Sequence, residues 1–566
     1  MRRLLAVLLV TLVAGVIFYV LIYARPQIPE SSVLVLELGG RIEEAPALDA
    51  LEQLLARGPA LPTLVLQLEK AAADDRIEAV LLHVRGLEAN YARIQELRDA
   101  VRRVRETKPV IALLDLMSLN ATRELYLASS ASKLYLVPGF LGPFAGIAGQ
   151  YLTLGGFLEK LGIRLEYERI GRYKSAPETL AERELSDDAL EVFNELLDGL
   201  FAQIVRGVAE GRSLEPRAVR RLIDNAPSTA EEYLASGLAD GVAGRSEVLE
   251  LAGFEDVEEV SYETYLGIDP RELGLRDGPP IALIFGDGSL VQSGRGGPRS
   301  RAFEADVVEQ ALKDAAEDED VRAIVLRVNS PGGSPLASDQ LWRAVREARK
   351  KKPVVVSMGD AAASGGYYVA SAADAILAHP ATLTGSIGVF FLHPALADLY
   401  RKLEIGSEVL TRGPFAPVAI GAEPFTKEQR ERTRGFVAAV YRDFVDRVAT
   451  GRGLEAADVD RVGQGHVWLG EMALGHGLVD ELGGLRSAVK RAQSEAGLDL
   501  AVDPERVIFP GPRPLTEQVI DLLRGDLPHA LTSRLLPIEL PPIVQSVASL
   551  AEGELAYLPT YWIEIR

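Results

Sequence analysis

Ser364 stands in "GDAAASGGYYVAS", Gly359 to Ser371, after three alanines and before two glycines, just downstream of the apolar run "PVVVSM". Small residues where a strand turns into a helix let another molecule approach the backbone closely. By itself the stretch also suits a Gly-rich turn with a helix-capping serine. A serine nucleophile needs a group to take its proton, and no neighbouring histidine is an obvious candidate. A second stretch, "ERIGRYKSAPE", carries Lys174. A loop lysine is ordinarily solvated, but a buried one loses its charge and becomes a base. A third, "LRVNSPGGSPLAS" (Leu326 to Ser338), follows an apolar run, and its Pro-Gly-Gly turn leaves backbone N–H groups open to a ligand. The six histidines show no ligand spacing and His379 reads as structural; with no cysteine in the chain, thiolate chemistry is excluded. Neither a metal nor a cofactor is expected.

The elements that must position these residues occur twice. "DDRIEAVLLHVRG" (Asp74 to Gly86) resembles "DEDVRAIVLRVNS" (Asp318 to Ser330). Lys108 then aligns with Lys352 at an offset of 244, Pro138 with Pro380 at 242, and Gly211 with Gly451 at 240. So slow a drift marks an internal duplication. Each copy alternates β-branched or Leu-rich runs with amphipathic stretches, the pattern of βαβ units on a mostly parallel sheet. The first copy is expected over 32–250 and the second over 280–497, with an acidic linker at 255–280 and a tail of unassigned role at 498–566.

Comparing the copies sharpens the chemistry. Aligning Tyr126 with Tyr368 puts Thr122, Arg123 and Glu124 opposite Ser364, Gly365 and Gly366, so the serine turn exists only in the second copy. Lys174 falls opposite Ala416, so the lysine exists only in the first. One copy holds a candidate nucleophile without the lysine, and the other the lysine without the nucleophile.

The chain has 566 residues, 48% apolar and 25% charged, which is enough for two or three domains with sizeable cores. With 61 Lys+Arg against 81 Asp+Glu, the net charge of −20 argues against a general nucleic-acid binder. "MRR" precedes Leu4 to Ala24, which carry no charge and are long enough to cross a bilayer core of about 30 Å. The exit "LIYARP" has Ile22 where a cleavage site needs a small residue, so an uncleaved anchor over 4–24 is expected. Arg2 and Arg3 place the short N-terminus in the cytoplasm and the rest outside the inner membrane.

Together, "GRYKSAPE", "NSPGGS", "AASGGYYVAS" and "TLTGSIGVF" (Thr382 to Phe390), each in its own copy and order, resemble the long, duplicated form of the signal peptide peptidase A family. The resemblance covers residues 1–497. It implies two tandem ClpP/crotonase-like α/β domains behind a transmembrane helix, in a bacterial inner-membrane, periplasm-facing serine peptidase. It assigns Ser364 as nucleophile, Lys174 as general base and Ser386 as the residue that orients the lysine. Backbone N–H groups of Gly333 and Gly365 are the candidates for the oxyanion hole. Implied substrates are remnant signal peptides and unfolded peptides, and the implied assembly is a homotetramer. Two other readings share the fold: an inactive peptide-binding scaffold, and a crotonase-like acyl-CoA enzyme, against which the extracytoplasmic placement argues. A Ser-His-Asp hydrolase is disfavoured, since no G-x-S-x-G elbow occurs.

Overall fold

The computed structural model describes residues 27–49, 58–292, 302–420, 423–512 and 564–565. The expected anchor, 4–24, lies outside them; among the described residues no helix is long and apolar enough to cross a membrane.

The first repeat begins with β1 (Ser32–Arg41), α1 (Leu61–Ala73), β2 (Ile77–Glu88), α2 (Tyr91–Arg105) and β3 (Val110–Leu114). It continues through α3 (Thr122–Ala128), β4 (Lys133–Leu136), β5 (Gly149–Gln150), α4 (Gly155–Leu161), β6 (Arg164–Ile170), α5 (Asp187–Arg212), β7 (Gly241–Val242) and β8 (Glu258–Ser261). The strands order as β7-β4-β3-β2-β1-β8, all parallel. The central strands are buried on both faces because helices cover both, which is why they read as continuous apolar runs.

The second repeat runs β9 (Gly278–Asp287), α6 (Ala305–Glu317), β10 (Ala323–Ser330), α7 (Pro335–Arg349), β11 (Val354–Ala363), α8 (Gly365–Ala370), β12 (Ala375–Ala378) and β13 (Leu383–Gly385). Then come β14 (Val389–Ala395), α9 (Ala397–Lys402), α10 (Lys427–Arg452), β15 (Val467–Leu469), β16 (Glu481–Leu482) and β17 (Pro504–Phe509). Its sheet orders as β15-β13-β11-β10-β9-β17, with β12 against β11 and β16 against β12. The last strand described is β18 (Glu564–Ile565).

Two expected boundaries move. The stretch 255–280, read as a linker, supplies β8 to the edge of the first sheet, beside β1. The stretch 498–566, read as a tail, supplies β17 to the equivalent edge beside β9. The two strands are counterparts, so each repeat is longer than the sequence pattern suggested.

Two contacts lock the repeats. β6 of the first pairs antiparallel with β14 of the second, from Val389↔Ile170 to Ala395↔Arg164. Helix α2 lies against the second sheet. There Arg327 on β10, 3% exposed, reaches Glu44 through Nε at 2.5 Å and Glu96 through Nη2 at 2.8 Å. Arg93 binds Asp360 on β11 at 2.5 Å, and the Ala381 N–H donates to Gln95 Oε1 at 2.9 Å. The first core also takes in Ala381, Val467 and Leu469 from the second repeat.

Candidate active site

Strand β11 ends at Ala363 and α8 starts at Gly365, leaving Ser364 on the corner between them. Its φ of 52° and ψ of −116° are rare for a residue with a side chain, and such strain persists only where the surroundings over-determine it. Here the Ser364 N–H donates to Gly385 O at 2.9 Å and Ser364 O accepts from the Tyr368 N–H at 2.8 Å.

The Pro-Gly-Gly turn lies against this corner. A Cβ on Gly332 (φ 111°) would stand 2.8 Å from Ser364 Cβ and 2.9 Å from Gly365 N. A Cβ on Gly365 would meet Ser338 Oγ at 2.5 Å and Gly333 N at 3.2 Å. The N–H groups of Gly333 and Gly365 therefore sit side by side next to Ser364, and neither donates to a backbone or side-chain acceptor among the described residues.

Lys174 comes from the first repeat, on the turn that follows β6. That turn is pinned to the second repeat, because the Tyr173 N–H donates to Gln464 O at 2.8 Å. Arg169, on β6, donates to Lys174 O at 3.0 Å. The side chain is 1% exposed and ends with Nζ 3.1 Å from Ser364 Oγ, 2.9 Å from Ser386 Oγ and 3.1 Å from Ser386 O. Burial pushes the Lys174 ammonium from its ordinary 10.5 down to about 7. Ser386 is itself anchored, its N–H donating to His466 O at 2.7 Å.

All five residues singled out in the sequence thus meet at one place, although Lys174 precedes Ser364 by 190 positions. Two participants were missed. Gly465 (φ 76°) and Gly388 line the lysine: a Cβ on Gly465 would approach Lys174 N to 2.5 Å, and one on Gly388 would reach Lys174 Cδ at 3.1 Å. His379 is 1% exposed and faces Glu96 Oε2 at 3.4 Å, away from this cluster. Among the described residues no group of His, Asp and Glu side chains could hold a metal ion.

The first repeat has filled the corresponding turn with side chains. Glu124 Oε1 accepts from the Leu87 N–H at 2.9 Å, and Arg123 donates to Leu87 O at 2.9 Å.

The duplicated α/β fold thus brings a buried lysine of the first repeat to a strained serine and two idle backbone donors of the second, groups of the kind a serine hydrolase uses. The profile of Peptidase family S49 matches residues 102–255 and again 346–499. The chain is 33% identical over 500 residues to the chloroplastic serine protease SPPA of Arabidopsis thaliana, covering 86% of this chain and 72% of that one. It is 30% identical over 510 residues to Protease 4 of Salmonella typhi, covering 86% and 79%. With Protease 4 of Haemophilus influenzae it shares 29% over 456 residues, covering 76% and 72%. The chain belongs to Peptidase family S49 and is a serine peptidase.

Proposed function

We propose that this protein is a membrane-anchored endopeptidase that cleaves remnant signal peptides and other unfolded peptides through a Ser364–Lys174 dyad. The observation that carries the reading is a buried amine, brought down to about 7 by burial, within hydrogen-bond distance of the strained Ser364 hydroxyl.

A neutral amine has two N–H bonds and one lone pair. Ser386 O and Oγ accept the two N–H bonds, which turns the lone pair toward the Ser364 O–H. Lys174 takes that proton as Oγ adds to the scissile carbonyl carbon, and the new oxyanion receives the N–H groups of Gly333 and Gly365. Removing one donor of this kind costs about 10²–10³ in rate. Collapse expels the amine, which leaves with the proton from Lys174, and the acyl group stays on Ser364. Lys174 next deprotonates a water, whose attack frees Ser364 and restores the neutral amine. Every proton is returned, and the steps use only side chains and backbone groups of this chain.

An extended apolar peptide adding to strand edges beside the turn suits the substrate class. The uncharged stretch Leu4 to Ala24 behind Arg2 and Arg3 supports anchoring in a bacterial inner membrane, with both repeats on the periplasmic side. The resemblance adds self-assembly, as a homotetramer.

Ser364→Ala and Lys174→Ala, assayed on a denatured protein and an unstructured apolar peptide, test the dyad. Both should lose activity with the fold intact, and near-native turnover by Lys174→Ala would sink it. A reporter fused after residue 30 tests the topology; a cytoplasmic signal would overturn the placement.

A further inference from the structure

Strand β11 does not run straight into Ser364. Its ladder with β10 pairs Val328 with Met358 and then Ser330 with Ala362. Gly359, Asp360 and Ala361 therefore stand against Asn329 alone. Bulges of this kind re-aim the chain beside active sites, and they leave backbone groups to be satisfied by other means. Here the Asn329 side chain supplies the acceptor, as the Ala361 N–H donates to its Oδ1 at 3.2 Å. Gly359 makes the room, because a Cβ there would meet Asn329 Cβ and Oδ1, each at 3.0 Å.

The other arm of the amide faces β9. Asn329 Nδ2 donates to Asp287 Oδ1 at 2.7 Å, and the Gly288 N–H donates to Asn329 O at 2.9 Å. From Asp287 the chain runs directly into the segment that holds the Pro-Gly-Gly turn. The Leu290 N–H donates to Gly332 O, and the Ser334 N–H donates to Leu290 O, both at 2.9 Å. One side chain thus spans three pieces of the site. It ties the strand that ends at Ser364 to the strand that opens into Gly333, and both to the segment that clamps the turn. An amide suits this place because it offers an acceptor to a backbone N–H and a donor to a carboxylate at once.

The first repeat builds the same strands without this pair. At the 244-residue offset Arg85 takes the place of Asn329, and Asp115 that of Gly359. Gly39 takes the place of Asp287, since it follows Leu38, paired with Val84, as Asp287 follows Gly286, paired with Val328. Arg85 Nε lies 3.8 Å from Asp115 Oδ2, with the side chain half exposed. The sheet therefore folds without the amide. What accompanies the amide is what only the second repeat keeps, the serine and the open Gly333 and Gly365 N–H groups.

We propose that Asn329, held by Asp287, is a positioning residue that fixes the Ser364 corner and the Gly333 N–H at one spacing. It touches no reacting atom; it sets where the nucleophile and the oxyanion donor stand relative to each other. The proposal rests on the reading of Ser364 as nucleophile and of Gly333 and Gly365 as oxyanion donors. Its contribution falls in the transition state, when the substrate oxygen moves into the hole, more than in substrate binding.

Exchanging the two side chains tests it. Asn329→Asp sets a carboxylate against Asp287 and should lower kcat by about 10–10²-fold, with KM changed by about twofold at most. Adding Asp287→Asn turns an amide toward the new carboxylate, so the double variant regains both hydrogen bonds and should recover most of the lost kcat. Asp287→Ala leaves the bond from Ala361 in place and should lower kcat about tenfold, again at nearly constant KM. Thermal unfolding of each variant is measured beside the kinetics. A contact that serves the fold alone lowers the unfolding temperature and leaves kcat native in the folded protein. That result, or a double variant as slow as Asn329→Asp, overturns the proposal; if Asn329→Asp does not fold, native kcat in Asp287→Ala does so. Activity surviving in Ser364→Ala would instead sink the reading of the site itself. An inactive Ser364→Ala beside fully active Asn329 and Asp287 variants sinks the positioning role alone.

Discussion

A Cβ on Gly465 would lie 2.5 Å from Lys174 N and 2.6 Å from Lys174 Cβ, so only glycine lets the second repeat close over this lysine. The relationship is mutual, since Lys174 can be sealed from water only if the chain opposite carries no side chain. Gly465→Ala should displace Lys174 by a few tenths of an ångström or more. Misplacement on the scale of 1 Å costs about 10² in rate. Steady-state kinetics should show kcat reduced far more than KM is raised, and native kcat would show that the contact relaxes harmlessly.

The titration of Lys174 should appear directly in the activity. The amine accepts a proton only when neutral, and burial holds it near 7. kcat/KM should therefore rise with pH and reach half its maximum near 7 on that limb. Ser386→Ala removes the hydroxyl 2.9 Å from Nζ but leaves the backbone carbonyl. That variant should lose roughly tenfold to 10²-fold in kcat, less than the loss from Lys174→Ala. A profile in native enzyme that is flat from about pH 6 to 9 would remove Lys174 as the base.

The same displacement has a thermodynamic signature. In the unfolded chain the lysine keeps its proton up to its ordinary 10.5, whereas the folded chain releases it above about 7. Between these values the unfolded state binds more protons, so folding stability rises with pH, by up to about 1.4 kcal/mol per unit. Lys174→Met lacks this titration. The difference in unfolding free energy, native minus variant, should be level below pH 7 and climb toward pH 10 in denaturant titrations. A difference that does not change with pH would mean that the folded protein carries an ordinary, charged lysine.

Ser364 and Lys174 were legible because duplication supplies its own comparison: each copy shows what the other has lost, and Arg123 and Glu124 mark the dead turn. Gly465 was not legible, because what makes glycine obligatory there is a chain segment of the other repeat. Its sequence surroundings, "VGQGHVW", read as an ordinary turn. The edge strands β8 and β17 escaped for a related reason. A strand with a single neighbour needs little hydrophobic pattern, and "EEVS" and "PERVIF" have little. The pairing of Arg327 has the same origin, because its carboxylate partners Glu44 and Glu96 come from the first repeat.

Arg327 also shows how two repeats deliver atoms to one site. It lies on β10, the strand that runs into the Pro-Gly-Gly turn, and both its carboxylate partners belong to the repeat that carries Lys174. All three groups are buried, so removing the guanidinium leaves Glu44 with Arg93 as its one remaining arginine and takes from Glu96 its arginine partner. Breaking a buried pair in this way costs about 3–5 kcal/mol. Arg327→Met should lower the unfolding temperature by several degrees and reduce kcat, because the two repeats no longer hold one fixed register. The pH midpoint near 7 should stay in place, since the burial that sets it comes from the walls around Lys174 rather than from this cluster. A shifted midpoint with unchanged stability would instead make Arg327 part of the lysine's electrostatic environment. Unchanged stability and unchanged kcat together would mean that the β6–β14 ribbon and the remaining contacts between the repeats hold the register without Arg327.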